Sequence, residues 1–386
     1  MFAIKSMSKT KEKIMKINQR QFAFGLLAIP TVILMVMGLV FCWVAPANEY
    51  LHGEGSHYFF THMLGWTTIG LSLAICAYLI GWRRWLKAAP FIVFGWVGLV
   101  AYSATCPLVN GHWGWINLGC FRINVLEFTP VVVSLAAAYI ARALKCRSLV
   151  AISMMLVAYA GVFGYTTVSK MNRLEYANLL PTQQYLAKNA QQPARLFLAN
   201  QCVGAVRESA FFGGSDRVNL RFLPESTTTS MPAAASVLFG KWYLIALSIV
   251  LALMGVGVGV SWKINANSPM RAYTFLWGIL VLMTSFLNIQ GCVGFAPIVD
   301  VGVPFACFGG SLAISTLLGL AILLSQNQEC GEGHTLAGLD WAQIAVPVIV
   351  LTLATVYGML SVQGRDSFTY RGLREGEKVD WKSVEL

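Results

Sequence analysis

Charge is scarce in this chain of 386 residues: 12% are Asp, Glu, Lys or Arg, against 56% apolar, and the mean hydropathy is +0.62. That balance excludes a soluble globular core and describes a polytopic membrane protein. Acids are scarcer than bases, 17 to 28, for a net charge of +11. The bases sit beside apolar runs and form no domain of their own, so the excess does not point to nucleic acid. The nine cysteines contain no Cys-x-x-Cys spacing and mostly fall in apolar runs, which argues against zinc. Histidine is also sparse. His52, His57 and His62 are irregularly spaced in a Gly-rich stretch, a poor pattern for metal ligands. No small-residue cleavage site follows the first apolar run, which is longer than a signal-peptide core and is expected to stay as an anchor.

Long apolar runs are what the chain has instead. Runs of about 20 residues suffice to cross the hydrocarbon. They are read near Phe22 to Val44, Phe60 to Trp82, Ala89 to Cys106, Phe128 to Leu144, Leu149 to Val168, Val237 to Trp262, Tyr273 to Ile289, Phe305 to Ser325 and Trp341 to Val362. The expected fold is an all-α, polytopic helix bundle of about nine transmembrane helices with one large extracytoplasmic loop. The basic residues orient it. Lys5 to Arg20, Arg83-Arg84-Lys87, Arg142-Lys145-Arg147 and Lys263 to Arg271 fall on one side, which the positive-inside bias makes cytoplasmic. The expected organisation is a basic cytoplasmic tail over 1–21, a transmembrane domain over 22–325 with its outer loop near 169–232, and a further loop, helix and outer tail over 326–386.

Between two of these runs lies Pro297 to Ser311, with Pro297, Gly302, Pro304, Gly309 and Gly310. Backbone broken this way cannot face lipid. It must be buried in protein or line a wet cavity. Asn288-Ile289 to Gly294, Pro297, Pro304-Phe305 and Phe308-Gly309-Gly310-Ser311 resemble the last periplasmic loop and final helix of the SEDS family, the RodA/FtsW/SpoVE-type enzymes that polymerise lipid II into peptidoglycan. Gly302 stands where the family usually has proline.

Two more outer segments are similar to the same family. In the first, Trp115-Ile116-Asn117-Leu118-Gly119 leads to Glu127. The family's glutamine-proline-serine-glutamate run reads Asn124, Val125, Leu126 and Glu127 here, and its following lysine falls on Pro130. A carboxylate at the mouth of a span is costly without a partner or a use; the alternative is an interfacial acid beside a helix start. In the second, Arg221-Phe222-Leu223-Pro224-Glu225-Ser226 precedes Thr227-Thr228-Thr229. The family's catalytic aspartate falls on Thr229, and its paired glutamates fall on Val237 and Leu238. A threonine hydroxyl, with a pKa far above neutrality, cannot serve as the base that a sugar hydroxyl needs. Glu225 and Glu127 are the candidate replacements.

The long outer region carries seven Lys and Arg against four acids. Arg207 and Arg221 are candidates for a substrate diphosphate, since phosphate oxygens bind arginine through charge-assisted bonds; anionic headgroups alone would also account for them. The expected site is thus Glu225 and Thr229 at the chemistry, with Trp115, Asn117, Glu127, Arg207, Arg221, Gly309, Gly310 and Ser311 binding substrate. A divalent cation, Mg or Mn, is a further option on the diphosphate. Membrane lipids surround the bundle, and the resemblance implies lipid II as substrate and a class B penicillin-binding protein as partner. It implies a divergent glycosyltransferase of the bacterial cytoplasmic membrane, in cell-shape control or division. An inactive scaffold binding a transpeptidase partner or lipid II, and a lipid flippase or transporter, are the other readings. Cys106 and Cys120 flank one outer loop and are a candidate disulfide. Asp300 either meets an outer arginine or reaches interfacial water.

Overall fold

The computed structural model describes residues 2–47, 53, 55–106, 114–119, 122–144, 150–156, 194–214, 220, 223, 226–265, 268–296 and 301–329. The described residues form helices α1 (Phe2–Val44), α2 (Tyr58–Ile80), α3 (Trp82–Ser103), α4 (Thr129–Ala143), α5 (Ala194–Glu208), α6 (Met231–Phe239), α7 (Trp242–Ile264), α8 (Met270–Cys292) and α9 (Gly310–Glu329). Strands β1 (Trp115–Asn117) and β2 (Arg122–Asn124), followed by a short 3-10 turn (Val125–Phe128), interrupt the helical order.

Among the described residues six stretches are long and apolar enough to span a membrane: Gln21–Val44, Tyr58–Ile80, Trp82–Ser103, Val125–Ala143, Trp242–Ile264 and Met270–Cys292. They coincide with six of the expected runs, and α9 supplies a shorter apolar helix at a seventh. Most of Leu149 to Val168 and all of Trp341 to Val362 lie outside the described residues. The run expected from Val237 is divided. Gly240, at φ +100°, ends α6, because a Cβ there would lie 2.6 Å from the Phe211 carbonyl oxygen. The 210–213 strip then runs beside the break, with Lys241 N–H donating to Ala210 and Gly213 N–H to Phe239.

Lipid tails are as apolar as leucine, so these helices associate by close packing and internal polar contacts. The densest seam joins α2 to α9. It passes Gly70, where a Cβ would come within 2.8 Å of Leu317. Helix α1 lies along α7. Pro30 in α1 has no N–H for the Leu26 carbonyl, and that oxygen faces Gly257 of α7, 2.8 Å from where a Cβ would stand. Helix α8 packs on α4 and α7. Its Tyr273 hydroxyl donates to the Gly319 carbonyl of α9 at 2.9 Å, and its Trp277 is fully buried.

One end of the bundle gathers the end of α1, the start of α2, the hairpin, the start of α4, the 226–230 turn, the start of α7, the end of α8 and the start of α9. We call it the loop end. Arg83, Arg84 and Lys87 at the Gly81 corner, Arg142 at the end of α4, and Lys263 and Arg271 at the α7–α8 turn occupy the opposite end.

Candidate functional site

Glu127 is held by a stack of local devices. Strands β1 and β2 pair antiparallel with Trp115 opposite Asn124 and Asn117 opposite Arg122. Gly114 opens the hairpin at φ +98°; a Cβ there would sit 2.9 Å from Asn124 Oδ1, so only glycine fits. Its carbonyl accepts from Val125 N–H at 2.8 Å. Asn124 Oδ1 accepts from Leu126 N–H at 3.0 Å and so caps the turn that carries Glu127. Trp96 of α3 fixes the same turn from the side, donating Nε1–H to the Val125 carbonyl at 3.0 Å. Glu127 is half-buried, with one carboxylate oxygen shielded from solvent, just before the N-terminus of α4, where the helix dipole favours negative charge.

The broken segment meets this turn. Phe305 takes φ +66°, the one described non-glycine residue in the left-handed region, and is buried. Its carbonyl lies so close to Gly38 of α1 that a Cβ there would overlap it at 1.7 Å. Cys307 is buried, and burial first, then the negative charge of Glu127, push its thiol up. The Glu127 carboxylate is therefore within electrostatic reach of the 301–309 segment. Ser311 Oγ, in the first turn of α9, accepts from Asn124 N–H at 3.0 Å. Gly310 lies flat under the Trp66 ring, whose carbons a Cβ would approach to 2.5 Å.

The 226–230 turn is the third wall. Phe308 N–H donates to the Thr227 carbonyl at 2.8 Å. Thr229 is buried, and its carbonyl accepts from Asn288 Nδ2 at 2.9 Å, with the Cys292 thiol 3.9 Å away. The hairpin turn, the broken segment and the threonine turn thus form one joined structure, tied through Asn124–Ser311, Phe308–Thr227 and Asn288–Thr229.

Of the residues expected at a site, Glu127, Thr229, Gly309, Gly310 and Ser311 belong to these joined segments. Trp115 is half-buried in β1 beside them. Asn117 is exposed near the hairpin tip, and its Oδ1 is used locally, accepting from Gly119 N–H at 3.0 Å. Arg207 stands at the far end of α6 from Thr229, about 14 Å along that helix; its carbonyl accepts from Lys241 Nζ at 3.2 Å. Glu225, Arg221, Asp300 and Cys120 lie outside the described residues.

His57 stacks on Trp43 at 3.9 Å, and His62 Nδ1 lies 2.9 Å from the Tyr58 carbonyl oxygen. Among the described residues no three His, Cys, Asp or Glu groups gather as metal ligands. A hard divalent cation takes several oxygens, and Glu127 is the one acid in the described part of these segments, so no chemistry is routed through such an ion here. Sequence reasoning missed Asn288 as a clamp, Trp66 as the cover of Gly310 and Lys241 as a buried cation. Asn288 already lay in a motif that had been singled out; the other two gave no local signal.

Beside this end, α2 and α3 hardly touch beyond the Gly81 corner, where Trp85 Nε1–H donates to the Ala77 carbonyl at 2.9 Å. Helix α2 leans on α9 and α3 on α4, so among the described residues these two consecutive helices pack mainly on other neighbours.

A family model described as cell cycle protein, of the FtsW/RodA/SpoVE type, matches residues 25–173 and 200–330. The probable peptidoglycan glycosyltransferase FtsW of Thioalkalivibrio sp. (strain K90mix) is 24% identical over 352 residues, covering 76% of this chain and 87% of its own length. Stage V sporulation protein E of Bacillus subtilis (strain 168) is 21% identical over 353 residues, covering 78% and 95%. A chain from a solved structure, described as structural coordination of polymerization and crosslinking by a peptidoglycan synthase complex, superposes with a TM-score of 0.59 at 17% identity, over 80% of this chain and 98% of that one. A variant of the Thermus thermophilus rod shape determining protein RodA gives 0.52 at 16% identity, over 78% and 98%. At these identities the solved structures speak for the fold alone, which is that of RodA. Because the family model covers most of its length, this chain belongs to the FtsW/RodA/SpoVE family, the SEDS proteins.

Proposed function

We propose that this protein polymerises a polyprenyl-diphosphate sugar of the lipid II type into glycan strands, with Glu127 as the general base and the loop end facing outward from the cytoplasmic membrane. The observation that carries the reading is the placement of Glu127: a half-buried carboxylate at the end of the bundle where three irregular segments are tied together. Family membership supports the substrate class. The cluster of Arg83, Arg84, Lys87, Arg142, Lys263 and Arg271 at the other end supports the orientation.

In this reading the Glu127 carboxylate takes the proton from the acceptor sugar hydroxyl as its oxygen attacks the anomeric carbon of the donor. The new glycosidic C–O bond forms while the donor's anomeric C–O bond to diphosphate breaks, and the polyprenyl diphosphate leaves with the electron pair. Arg207, Arg221 and other outer arginines attract the diphosphate. The polyprenyl tail lies along the apolar exposed side of α3, where Phe91 and Phe94 are 80% and 82% exposed. Thr229 contributes a buried turn held by Asn288 and no base.

The experiment is glycan-strand synthesis from lipid II by the purified full chain. Glu127→Gln is expected to lower the rate about 10²- to 10⁴-fold, the usual worth of a general base, with lipid II still bound. Unchanged polymerisation by that variant, with loss in Glu225→Gln, would move the base to Glu225. One observation favours a second reading, a scaffold without catalysis: an alcohol, Thr229, stands where the family's aspartate is expected. No product from the parent but product from Thr229→Asp would establish that reading. One solved relative is described as part of a complex that coordinates polymerization with crosslinking. Crosslinking needs a transpeptidase, so a class B penicillin-binding protein is the proposed partner on either reading.

A further inference from the structure

The strip beside the α6–α7 break turns its side chains away from the protein. Ala210 to Gly214 are all exposed, whereas the last turns of α5 before them and most of α6 after them are buried. Two of the five are consecutive aromatics, Phe211 at 51% and Phe212 at 73% exposure, with their rings edge to face at 4.6 Å. Trp242, 39% exposed, stands beside them as the first residue of α7.

Backbone hydrogen bonds fix the depth of the strip. Trp242 N–H donates to the Phe211 carbonyl at 3.2 Å, Lys241 N–H to the Ala210 carbonyl at 3.0 Å, and Gly213 N–H to the Phe239 carbonyl at 3.1 Å. Trp242–Ile264 is one of the spans. The strip therefore lies level with the first turn of a span, where hydrocarbon gives way to headgroups and aromatic side chains collect. Its backbone suits that depth. A non-helical segment can approach hydrocarbon only with its polar groups paired inside the protein. Here the two carbonyls before Phe212 and the amide after it are paired with 239–242, which leaves the rings as the outward surface. The Trp242 indole is satisfied likewise, its Nε1–H donating to the Phe239 carbonyl at 2.6 Å. Arg207 and Lys241 outnumber Glu208 at this level, a balance that suits lipid phosphates.

We propose that Phe211 and Phe212 insert into the bilayer beside Trp242, at the boundary between phospholipid headgroups and acyl chains, and that the strip anchors the α5–α6 segment to the membrane surface. Insertion extends the lipid-facing surface of α7 by one strip of chain. On the orientation proposed above the leaflet is the outer one; the insertion itself rests on depth alone and not on the reaction. The anchor bears on the loop end. Ser209, next to the strip, meets Ser236 of α6 with 3.1 Å between hydroxyl oxygens, and Lys241 Nζ donates to the Arg207 carbonyl at 3.2 Å. Helix α6 begins at the 226–230 turn, whose Thr229 carbonyl is held by Asn288. The strip thus sets the height of the threonine turn relative to the membrane.

The test uses the full chain in bacterial membranes. The photoreactive residue p-benzoylphenylalanine replaces Phe212 and, in a second protein, Phe94, which is 82% exposed in the middle of the α3 span. Both sites are open, so the larger ring is accommodated. On irradiation the ketone inserts into a C–H bond that it touches: the hydrogen moves to the ketone oxygen, a C–C bond forms, and no atom is lost. Intact mass is read after purification. The expected result is a gain of one phospholipid mass at both positions. A lipid adduct at 94 but a link from 212 to a second protein, or to another part of this chain, overturns the proposal and makes the strip a protein-docking surface. A lipid adduct at 94 and none of any kind at 212 also overturns it, since the ring then faces water. Catalysis enters neither readout, so a failed polymerisation assay leaves this result standing, and the reverse.

Discussion

Lys241 carries an ammonium into a place where little water reaches it. It is buried at the start of α7, with Nζ donating to the Arg207 carbonyl. Burial lowers its pKa below the usual 10.5, and the charge of Glu208 offsets only part of that. A base whose folded pKa is depressed binds fewer protons folded than unfolded, so stability rises with pH across that interval. The parent is therefore expected to gain thermal stability in detergent as pH climbs towards 10.5, and Lys241→Met to gain less over the same range. Parallel pH profiles for the two proteins would remove this account. Legibility at the residue scale follows from what a residue costs. Glu127 was visible in the sequence because a carboxylate at a span mouth is expensive anywhere. Asn288 and Lys241 were not recognised, because the acceptors that explain them, the carbonyls of Thr229 and Arg207, are supplied by chain 59 and 34 residues away.

Helices were legible wherever an apolar run reached membrane length, and their breaks were legible only in part. The Pro and Gly residues of 297–311 announced interrupted backbone. Gly240 did not, since apolar residues continue on both sides of it, and the pairing of 210–213 with 239–242 that requires the break is non-local. The hairpin was equally hidden, its strands being three residues each. Gly38 shows what the broken segment asks of a helix: α1 has to present bare backbone to the Phe305 carbonyl. Gly38→Ala puts a methyl where backbone already stands, so α1 and the 304–306 turn must separate. Overpacking of this kind costs about 1–3 kcal/mol, and Phe305, already at φ +66°, is poorly placed to yield. Thermal unfolding in detergent is expected to fall for Gly38→Ala. For Gly65→Ala in α2, where an added Cβ meets nothing within 4 Å, it should stay within about 0.5 kcal/mol of the parent. Equal behaviour of the two would show that the Phe305 turn does not bear on α1.

The described part of the molecule has two chemically unlike ends, and that asymmetry was readable in the sequence, because charge beside a span is not masked by tertiary packing. What could not be read is which outer segments touch. Residues 122–128, 226–230 and 301–311 are joined by backbone and side-chain hydrogen bonds across long sequence separations, such as Asn124 to Ser311. The order of the motifs gave the ingredients of that end but not its connections. The asymmetry itself makes a claim that can be measured without substrate. If the basic end is cytoplasmic, Leu118→Cys, 51% exposed in the hairpin, is expected to gain label over the parent when intact cells meet an impermeant maleimide. Arg84→Cys, exposed at the Gly81 corner, is expected to gain it only after permeabilisation. The reverse pattern would place Glu127 and its three segments on the side where glycan strands are not assembled. The polymerase and scaffold readings would then fall together, while the fold and the family would remain.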